Sequence, residues 1–244
     1  MRLQYMRGAQ LRQAVQDKWP LVIPAGTIEY HGEHLGLGCD TLVVEKVLER
    51  LADERPMVLA PTFAYGTASY AVAGPEAGTV NVDNARLTAH VKDVLRGFLE
   101  MGFRRITVVI HHQYEGGVEL PLTLAFKTAA AELVFEFLET KHGRGWWADE
   151  SNAAFYDQLD AKDAPWNWLR VIPLMHPDVQ QQTGYDHAGK HESSLLWALC
   201  PDAVDMDARP TNTAWYTRSA DEADRAYGQK MVDLILQQLR TEFQ

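Results

Sequence analysis

Residues 24–40 of the chain have the sequence PAGTIEYHGEHLGLGCD, directly after the apolar run Leu21-Val22-Ile23. The last twelve of these residues include two histidines, two glutamates and one aspartate. From Thr41 onwards, apolar residues recur every third or fourth position, which predicts an amphipathic helix. Buried elements seldom carry so many ionisable side chains. The segment between the predicted strand and the predicted helix is therefore the first candidate for a functional site.

The spacing of Glu29 and His31 favours a shared ligand. If residues 21–28 form mostly a strand, side chains two positions apart leave the same face of that strand. A loop that contains several glycines, 32–38, then brings Asp40 to the start of the next helix. Carboxylate oxygens combined with imidazole nitrogens suit Zn, Mn or Fe better than Ca or Mg. The stretch therefore predicts a site for a divalent metal of the first kind.

Other roles stay open for single residues of this stretch. Asp40 is also well placed as an ordinary helix N-cap, and Glu33 and His34 are typical of loops. Cys39 is either a reactive thiol beside the site or, as we prefer, a small buried side chain. Taken as a set, the acidic residues and histidines favour the metal site.

The composition of the chain excludes several classes of protein. A chain of 244 residues with 46% hydrophobic residues is predicted to form a single domain, 1–244. The net charge of −10 and the lack of basic clusters beyond Arg104-Arg105 argue against a nucleic-acid partner. No apolar run approaches the roughly 20 residues that span a membrane, and no signal peptide is evident, so a cytoplasmic location is predicted. Cys39 and Cys200 are too few for a disulfide framework or a thiolate zinc site.

The order of predicted elements indicates an α/β fold with a parallel sheet between helices. In such sheets ligands bind at the carboxyl ends of the strands. Both the stretch from Glu29 to Asp40 and the loop after Ile110 lie at such ends. The predicted strands are 21–28, 57–60, 105–110, 133–138 and 171–174, and the predicted helices are 8–18, 41–55, 84–101, 118–130, 192–199 and 221–243.

Three further segments carry unusual side chains. Residues 111–117, HHQYEGG, follow the buried strand 105–110, and residues 185–194, YDHAGKHESS, precede and begin a helix. A third segment is rich in tryptophan, and it predicts either packing over the sheet edge or a lid over a substrate. Its tryptophans are Trp146, Trp147, Trp166 and Trp168.

The stretch 24–40 and the segment around residues 187–194 resemble motifs of the creatininase family of metal-dependent amidohydrolases. Residues 24–40 fit its opening pattern P-x-G-x-x-E-x-H-G-x-H-L-x-L-x-x-D, although Tyr30, Glu33 and Cys39 stand where members usually carry Gln, Pro and Thr. Residues 187–194 are similar to the family's His-Ala-Gly-x-x-Glu-Thr-Ser motif, with Ser193 replacing Thr.

The middle motif departs from the family, which usually carries Asn-Gly-His-Gly-Gly-Asn there. Ungapped matching through the strand aligns His112 with the family's metal-binding histidine, places His111 at a glycine and places Glu115 at the final asparagine. In creatininase itself the histidine is followed by Tyr and a metal-binding Glu, whereas here Tyr114-Glu115 is displaced by one residue. We prefer the strand match, because a register shift of one residue would turn every strand side chain over. His111 is then expected to be a hydrogen-bonding residue beneath the site.

The resemblance implies a three-layer α/β/α sandwich with a mostly parallel central sheet, and a homo-oligomer, often a hexamer. It also implies a small-molecule substrate and one or two divalent metals, Zn, Mn or Fe, that activate water to hydrolyse a C–N bond. One metal is expected to bind Glu29, Asp40 and His112. The other is expected to bind His31 and the bridging Asp40, with Glu115 as an optional further ligand.

In the mechanism implied by the resemblance, His187 passes a proton to the leaving nitrogen, with Asp186 behind it to fix the imidazole tautomer. Glu192 either orients the water or caps its helix. Candidate substrate contacts are Tyr114, Trp146 and Trp147.

The substrate is left open. The displaced Glu115, together with Thr183 where creatininase carries a tryptophan, argues against creatinine itself. Alternatives are a formamide hydrolase of opened pyrimidines, a peptidase of the same family, or a relative that binds a metal or metabolite without catalysis.

Overall fold

The structure is a computed structural model that describes residues 1–112, 114–115, 118–159 and 161–244. For Tyr114, Glu115 and Val118 it describes the backbone alone. The predicted roles of the Tyr114 and Glu115 side chains therefore lie outside the described part of the chain.

The sheet that carries the site has four parallel strands. The strands of the molecule are β1 Leu21–Ala25, β2 Val58–Leu59, β3 Ile106–Ile110, β4 Tyr114–Glu115, β5 Val118–Glu119 and β6 Leu169–Pro173. The parallel sheet has the order β2-β1-β3-β6, whereas β4 and β5 form a separate antiparallel pair. The register pairs Ala25 with Ile110 and Ile110 with Pro173, so three strands end side by side.

Helices cover both faces of the sheet. They are α1 Gly8–Gln16, α2 Cys39–Glu54, α3 Asn84–Glu100, α4 Pro121–His142, α5 Pro177–Thr183, α6 Lys190–Leu199 and α7 Arg225–Glu242. In β1, Leu21 and Ile23 pack into one core with α3 and α4, while Val22 packs into a second core with α2, α6 and α7. This alternation follows from the two-residue period of a strand. The predicted α/β/α sandwich is confirmed, and none of the described helices has the length and apolarity that a membrane crossing requires.

The predicted strand 133–138 is wrong, because these residues continue helix α4. A short apolar run is compatible with a buried strand or a buried helix. Here Leu133, Val134 and Leu138 extend a helical spacing of buried residues that begins at Leu122 and includes Phe126. The exposed Phe135 made the run look continuous.

Strand β1 ends at Ala25, three residues earlier than predicted. Glu29 and His31 therefore project from a loop rather than from one face of a strand. The reason lies at Gly26, where an added Cβ would be 3.0 Å from the Cβ of Asp40 and 3.1 Å from the carbonyl oxygen of His111. Only glycine allows the end of β1, the first turn of α2 and the end of β3 to approach so closely.

Candidate metal centre and active site

Seven ionisable side chains meet at the carboxyl ends of β1 and β3. Two come from the loop after β1, one from the first turn of α2, two from the residues after β3, and two from the start of α6. Helix N-termini favour carboxylates, which suits the acidic residues that α2 and α6 contribute. We call this group the polar cluster. Its members are Glu29, His31, Asp40, His111, His112, His187 and Glu192, and the thiol of Cys39 lies within 4.8 Å of ligand atoms of His31 and Glu192.

Glu29, Asp40 and His112 form the first part of the polar cluster. Their ligand atoms all lie within 4.8 Å of one another. The His112 Nδ1 atom is 3.2 Å from Glu29 Oε2 and 3.1 Å from Asp40 Oδ2. The hydroxyl of Thr27 donates a 2.6 Å hydrogen bond to Asp40 Oδ2, which holds that carboxylate in place. The residues predicted to share one metal are thus brought together.

The charges in this part of the cluster are strongly coupled. Burial disfavours the charged imidazole of His112, but the Asp40 and Glu29 carboxylates outweigh burial and raise the pKa of His112 to about 10. Burial likewise opposes the Asp40 carboxylate, yet His112 and His31 hold the pKa of Asp40 well below its usual value. Without a metal, a proton on His112 therefore balances the carboxylates.

His31 contributes to the second part of the cluster. Its Nδ1 atom is 3.0 Å from the carbonyl oxygen of Glu29, which can only accept a hydrogen bond, so Nδ1 carries a hydrogen. The other ring nitrogen, Nε2, lies 3.5 Å from Asp40 Oδ1 and 3.5 Å from Glu192 Oε2. His31 is fully buried, and Nε2 makes no hydrogen bond within the described part of the chain.

His111 also belongs to the cluster rather than beneath it. Its Nε2 atom lies 3.6 Å from Glu192 Oε1 and likewise has no hydrogen-bond partner among the described residues. Burial lowers the pKa of His111, so its imidazole is neutral. We predicted a hydrogen-bonding role for His111, but its Nε2 atom does not have that role within the described residues.

The cluster fits a bound cation. Buried polar atoms are almost always hydrogen-bonded, yet in the described residues two imidazole nitrogens of the cluster lack hydrogen-bond partners and face carboxylate oxygens instead. They are His31 Nε2 and His111 Nε2. Burial disfavours the charged imidazole of His31, but the Glu192 and Asp40 carboxylates outweigh burial and raise the pKa of His31 well above its usual value. In the metal-free protein a proton therefore lies between His31 Nε2 and these carboxylates, and a metal ion could take its place.

His187 lies at the open side of the cluster. Its Nε2 atom is 3.0 Å from the carbonyl oxygen of Tyr30, so Nε2 carries a hydrogen, and its Nδ1 atom lies 4.0 Å from Glu192 Oε2. A ligand nitrogen of His187 lies within 4.8 Å of Glu29 and His31. The His187 ring packs 4.3 Å from the His31 ring, centroid to centroid. Its side chain is 22% exposed, whereas that of His31 is 1% exposed, so solvent reaches the cluster at His187.

Asp186 is not placed behind His187, which corrects the prediction. Its two carboxylate oxygens accept hydrogen bonds from the backbone N–H groups of His191 and Glu192, at 2.9 and 3.0 Å. Asp186 therefore caps α6. The carbonyl of Tyr30 fixes the His187 tautomer instead, a role that no side-chain pattern could have indicated.

Glu192 does not cap its own helix, which leaves the water-orienting role as the prediction that stays open. Its Oε2 atom accepts a 2.7 Å hydrogen bond from the N–H of Ala188, which has a left-handed φ of 52°. Because Asp186 caps the helix, the Glu192 carboxylate is free to face His31 and His111. Burial opposes ionisation, but His31 and His187 lower the pKa of Glu192 to about 2.

His34 is buried beside the cluster without joining it. The N–H of Glu33 donates to Asn212 Oδ1 at 2.8 Å, which leaves Asn212 Nδ2 to donate to His34 Nδ1 at 2.9 Å. His34 Nε2 then donates to the hydroxyl oxygen of Ser193 at 2.8 Å. Ser193 is completely buried and accepts rather than gives a proton, so this Ser–His–Asn arrangement is a structural tether and not a nucleophile.

Of two further residues near the cluster, the sequence analysis predicted Cys39 correctly and missed Tyr216. Cys39 is fully buried, and burial raises the pKa of its thiol, which confirms a small buried side chain. Tyr216 was missed, because it lies in a segment without periodicity. Its ring packs against His187 with 5.2 Å between centroids, and burial raises the pKa of its hydroxyl.

In the described contacts the tryptophans pack against other aromatic side chains and not against the polar cluster. Trp146 stacks on Trp166 at 6.1 Å, and both contact Phe135 of α4. Trp147 packs against Phe155 at 5.0 Å. These rings lie beyond the end of α4 and before β6, at the amino end of the sheet, so the chain itself does not bring Trp146 or Trp147 to the cluster.

Comparison with known proteins gives three curated relatives. Creatinine amidohydrolase of Pseudomonas putida is 28% identical over 193 residues, 77% of this chain and 66% of that protein. Mycofactocin precursor peptide peptidase of Mycolicibacterium smegmatis is 26% identical over 207 residues, 82% and 66% of the two chains. 3-Dehydro-scyllo-inosose hydrolase of Thermotoga maritima is 30% identical over 112 residues, 46% and 36%. The chain thus matches about two thirds of the length of the first two relatives.

Solved structures share the fold. A tryptophan-to-phenylalanine variant of creatininase has a TM-score of 0.73 at 22% identity, covering 99% of this chain and 98% of that one. A manganese form of creatininase has a TM-score of 0.72 at 21% identity, with the same coverage. The family model of creatininase, described as creatinine amidohydrolase, matches residues 4–241. The chain therefore belongs to the creatininase family.

Proposed function

We propose that the protein is a metal-dependent amidohydrolase that hydrolyses a C–N bond of a small cyclic amide, amide or formamide. The observation that carries this proposal is the position of His187, a partly exposed imidazole beside buried carboxylate and imidazole ligands. Such a hydrolase needs a metal site that activates water and a neighbouring side chain that transfers protons.

Glu29, Asp40 and His112 would hold one divalent ion, and His31 and Asp40 face a second position. Their nitrogen and oxygen donors favour Zn, Mn or Fe. A bound ion would polarise the substrate carbonyl and make water a better nucleophile near neutral pH.

The chain's own residues would handle the proton. The Tyr30 carbonyl holds the hydrogen of His187 on Nε2, which leaves Nδ1 toward the cluster as the acceptor. Nδ1 would take the proton that the attacking water loses and return it to the leaving nitrogen. Tyr216, packed on the His187 ring, would contact the substrate at the open side.

The substrate is proposed only as a class. The relatives named for creatinine and for a peptide act on compounds with C–N bonds, which supports C–N hydrolysis. The relative named for an inosose acts on a compound without nitrogen, so the family resemblance does not fix one compound. The same resemblance supports a cytoplasmic homo-oligomer, with a hexamer favoured.

Metal content is the first test. The protein is purified without added metal or chelator, and Zn, Mn and Fe per chain are measured for the wild type, for His112→Ala and for His142→Gln. We expect about two ions per chain in the wild type and in His142→Gln, whose histidine is exposed at the end of α4, and fewer in His112→Ala. Turnover of a panel of small cyclic amides and formamides should stop with chelator and return with metal.

Absence of metal even after reconstitution would contradict the proposal. The non-catalytic alternative would then take its place. Metal binding without turnover of any panel member would instead reject the proposed substrate class.

A further inference from the structure

The second metal position lacks an obvious set of ligands in the family resemblance. His31 and Asp40 supply two, and Glu115 is displaced by one residue from the pattern of creatininase itself. The structure offers three other groups at this place. One is the thiol of Cys39, which lies within 4.8 Å of ligand atoms of His31 and Glu192, but burial raises its pKa and so disfavours the thiolate that a metal needs. The other two are His111 and Glu192. Glu192 Oε2 lies 3.5 Å from His31 Nε2, and the ligand atoms of Asp40, His111 and Glu192 lie within 4.8 Å of one another.

These separations suit ligands of one ion better than hydrogen bonds. Nitrogen and oxygen ligands about 2.1 Å from a tetrahedral ion are about 3.4 Å apart. The Nε2 atom of His31 lies 3.5 Å from each neighbouring carboxylate oxygen, and that of His111 lies 3.6 Å from Glu192 Oε1. Hydrogen bonds of these groups would be about 2.7–3.2 Å long. Both nitrogens are buried and lack partners within the described residues.

We propose that His111 and Glu192 complete the second metal position with His31 and Asp40. This inference rests on the proposed function and adds a ligand set to it. His111 stands where the family usually carries glycine, so this chain adds an imidazole that a glycine cannot supply.

The start of α6 supports the role of Glu192. The first N–H groups of a helix need acceptors, and Asp186 provides them for His191 and Glu192. The Glu192 carboxylate is therefore not consumed by capping. Its hydrogen bond from Ala188 uses Oε2 and orients the group, while Oε1 faces His111.

The test is a metal titration of the full-length, metal-stripped protein. Mn²⁺ is added, free ion is followed by electron paramagnetic resonance, and bound ion by calorimetry. We compare wild type with His111→Gly, which restores the family's residue, Glu192→Gln, which keeps an acceptor for Ala188, and Glu115→Gln. A second variant at position 111, His111→Gln, keeps the test informative if His111→Gly does not fold. Circular dichroism checks the fold of each variant.

We expect two ions per chain in the wild type and in Glu115→Gln. In His111→Gly, His111→Gln and Glu192→Gln, affinity for the second ion should fall at least about tenfold, while the first ion stays. Loss of the second ion in Glu115→Gln alone would overturn the inference. A single ion in the wild type would also overturn it, yet leave the proposed function standing, whereas no ion at all would overturn both.

Discussion

His31 and His34 are both buried, yet their ring nitrogens have opposite surroundings. Both nitrogens of His34 are hydrogen-bonded, to Asn212 and Ser193. His31 has one bonded nitrogen, while the other faces two carboxylates without a hydrogen bond in the described part of the chain. Burial alone therefore does not separate a structural histidine from a candidate ligand. What separates them is whether the fold satisfies both nitrogens.

The largest expected effect concerns the histidine at the open side of the cluster. His187→Gln should lower kcat about 10²–10⁴-fold, because it removes the acceptor for the proton. Metal content should stay at the wild-type value, since the ligands are untouched. Steady-state kinetics with elemental analysis checks both, and unchanged turnover would remove His187 from the mechanism.

Metal affinity should depend on pH because a metal ion and protons compete for the same ligand atoms. The carboxylates of Asp40 and Glu29 raise the pKa of His112 to about 10 against the opposing effect of burial. Below that pH a metal must displace this proton, so affinity should rise by up to about tenfold per pH unit until the pH reaches about 10. Calorimetry in buffers of different ionisation enthalpy measures the proton release. An affinity that levels off above about pH 7 would contradict the raised pKa.

The same proton makes the metal-free protein respond in the opposite direction. A raised folded-state pKa stabilises the fold fully below the unfolded value of about 6.5. That contribution should fade as pH rises through about 10. Urea unfolding of metal-free protein should therefore show lower stability at pH 9 than at pH 6, and saturating metal should remove this trend.

Substitution of His34 should lower the stability of the fold and leave metal content unchanged, whereas substitution of His31 should lower metal content. His34→Ala leaves buried groups of Ser193 and Asn212 without partners, so the free energy of unfolding should fall by about 2–4 kcal/mol. The metal ligands remain, so metal per folded chain should stay the same. His31→Ala should instead lose the second ion. Denaturant unfolding measures the stability of both variants, and elemental analysis measures their metal content. Loss of metal in His34→Ala would contradict the structural role given to His34.

The smallest expected effect is at Asp186. If it caps α6, Asp186→Ala should lower the free energy of unfolding by about 0.5–2 kcal/mol. Asp186→Asn, which keeps one acceptor oxygen, should recover part of this. A changed pH profile of kcat in Asp186→Asn, without loss of stability, would restore the predicted role behind His187.

Local sequence predicted much of the fold. Strand and helix periodicity gave α1, α2, α3, β3 and α7 within a few residues, and the parallel topology followed from their alternation. It failed at 133–138, because an apolar run has no intrinsic preference between a buried strand and a buried helix. It also failed at the end of β1, where the close approach of Asp40 and His111 to Gly26 decides where the strand stops.

The amino-acid sequence specifies which donor groups the chain carries, and the alternation of strands and helices predicts that strand ends gather them. The family resemblance predicts that Glu29, Asp40 and His112 share a metal, and the structure brings these three within ligand distance. Which ring nitrogens lack hydrogen-bond partners in the described residues follows from packing alone. Asn212 completes His34, Tyr30 fixes His187, and His111 and Glu192 face one another, although these partners are 81 to 178 residues apart. Hydrogen-bond partners at such separations follow from packing, which local periodicity does not encode.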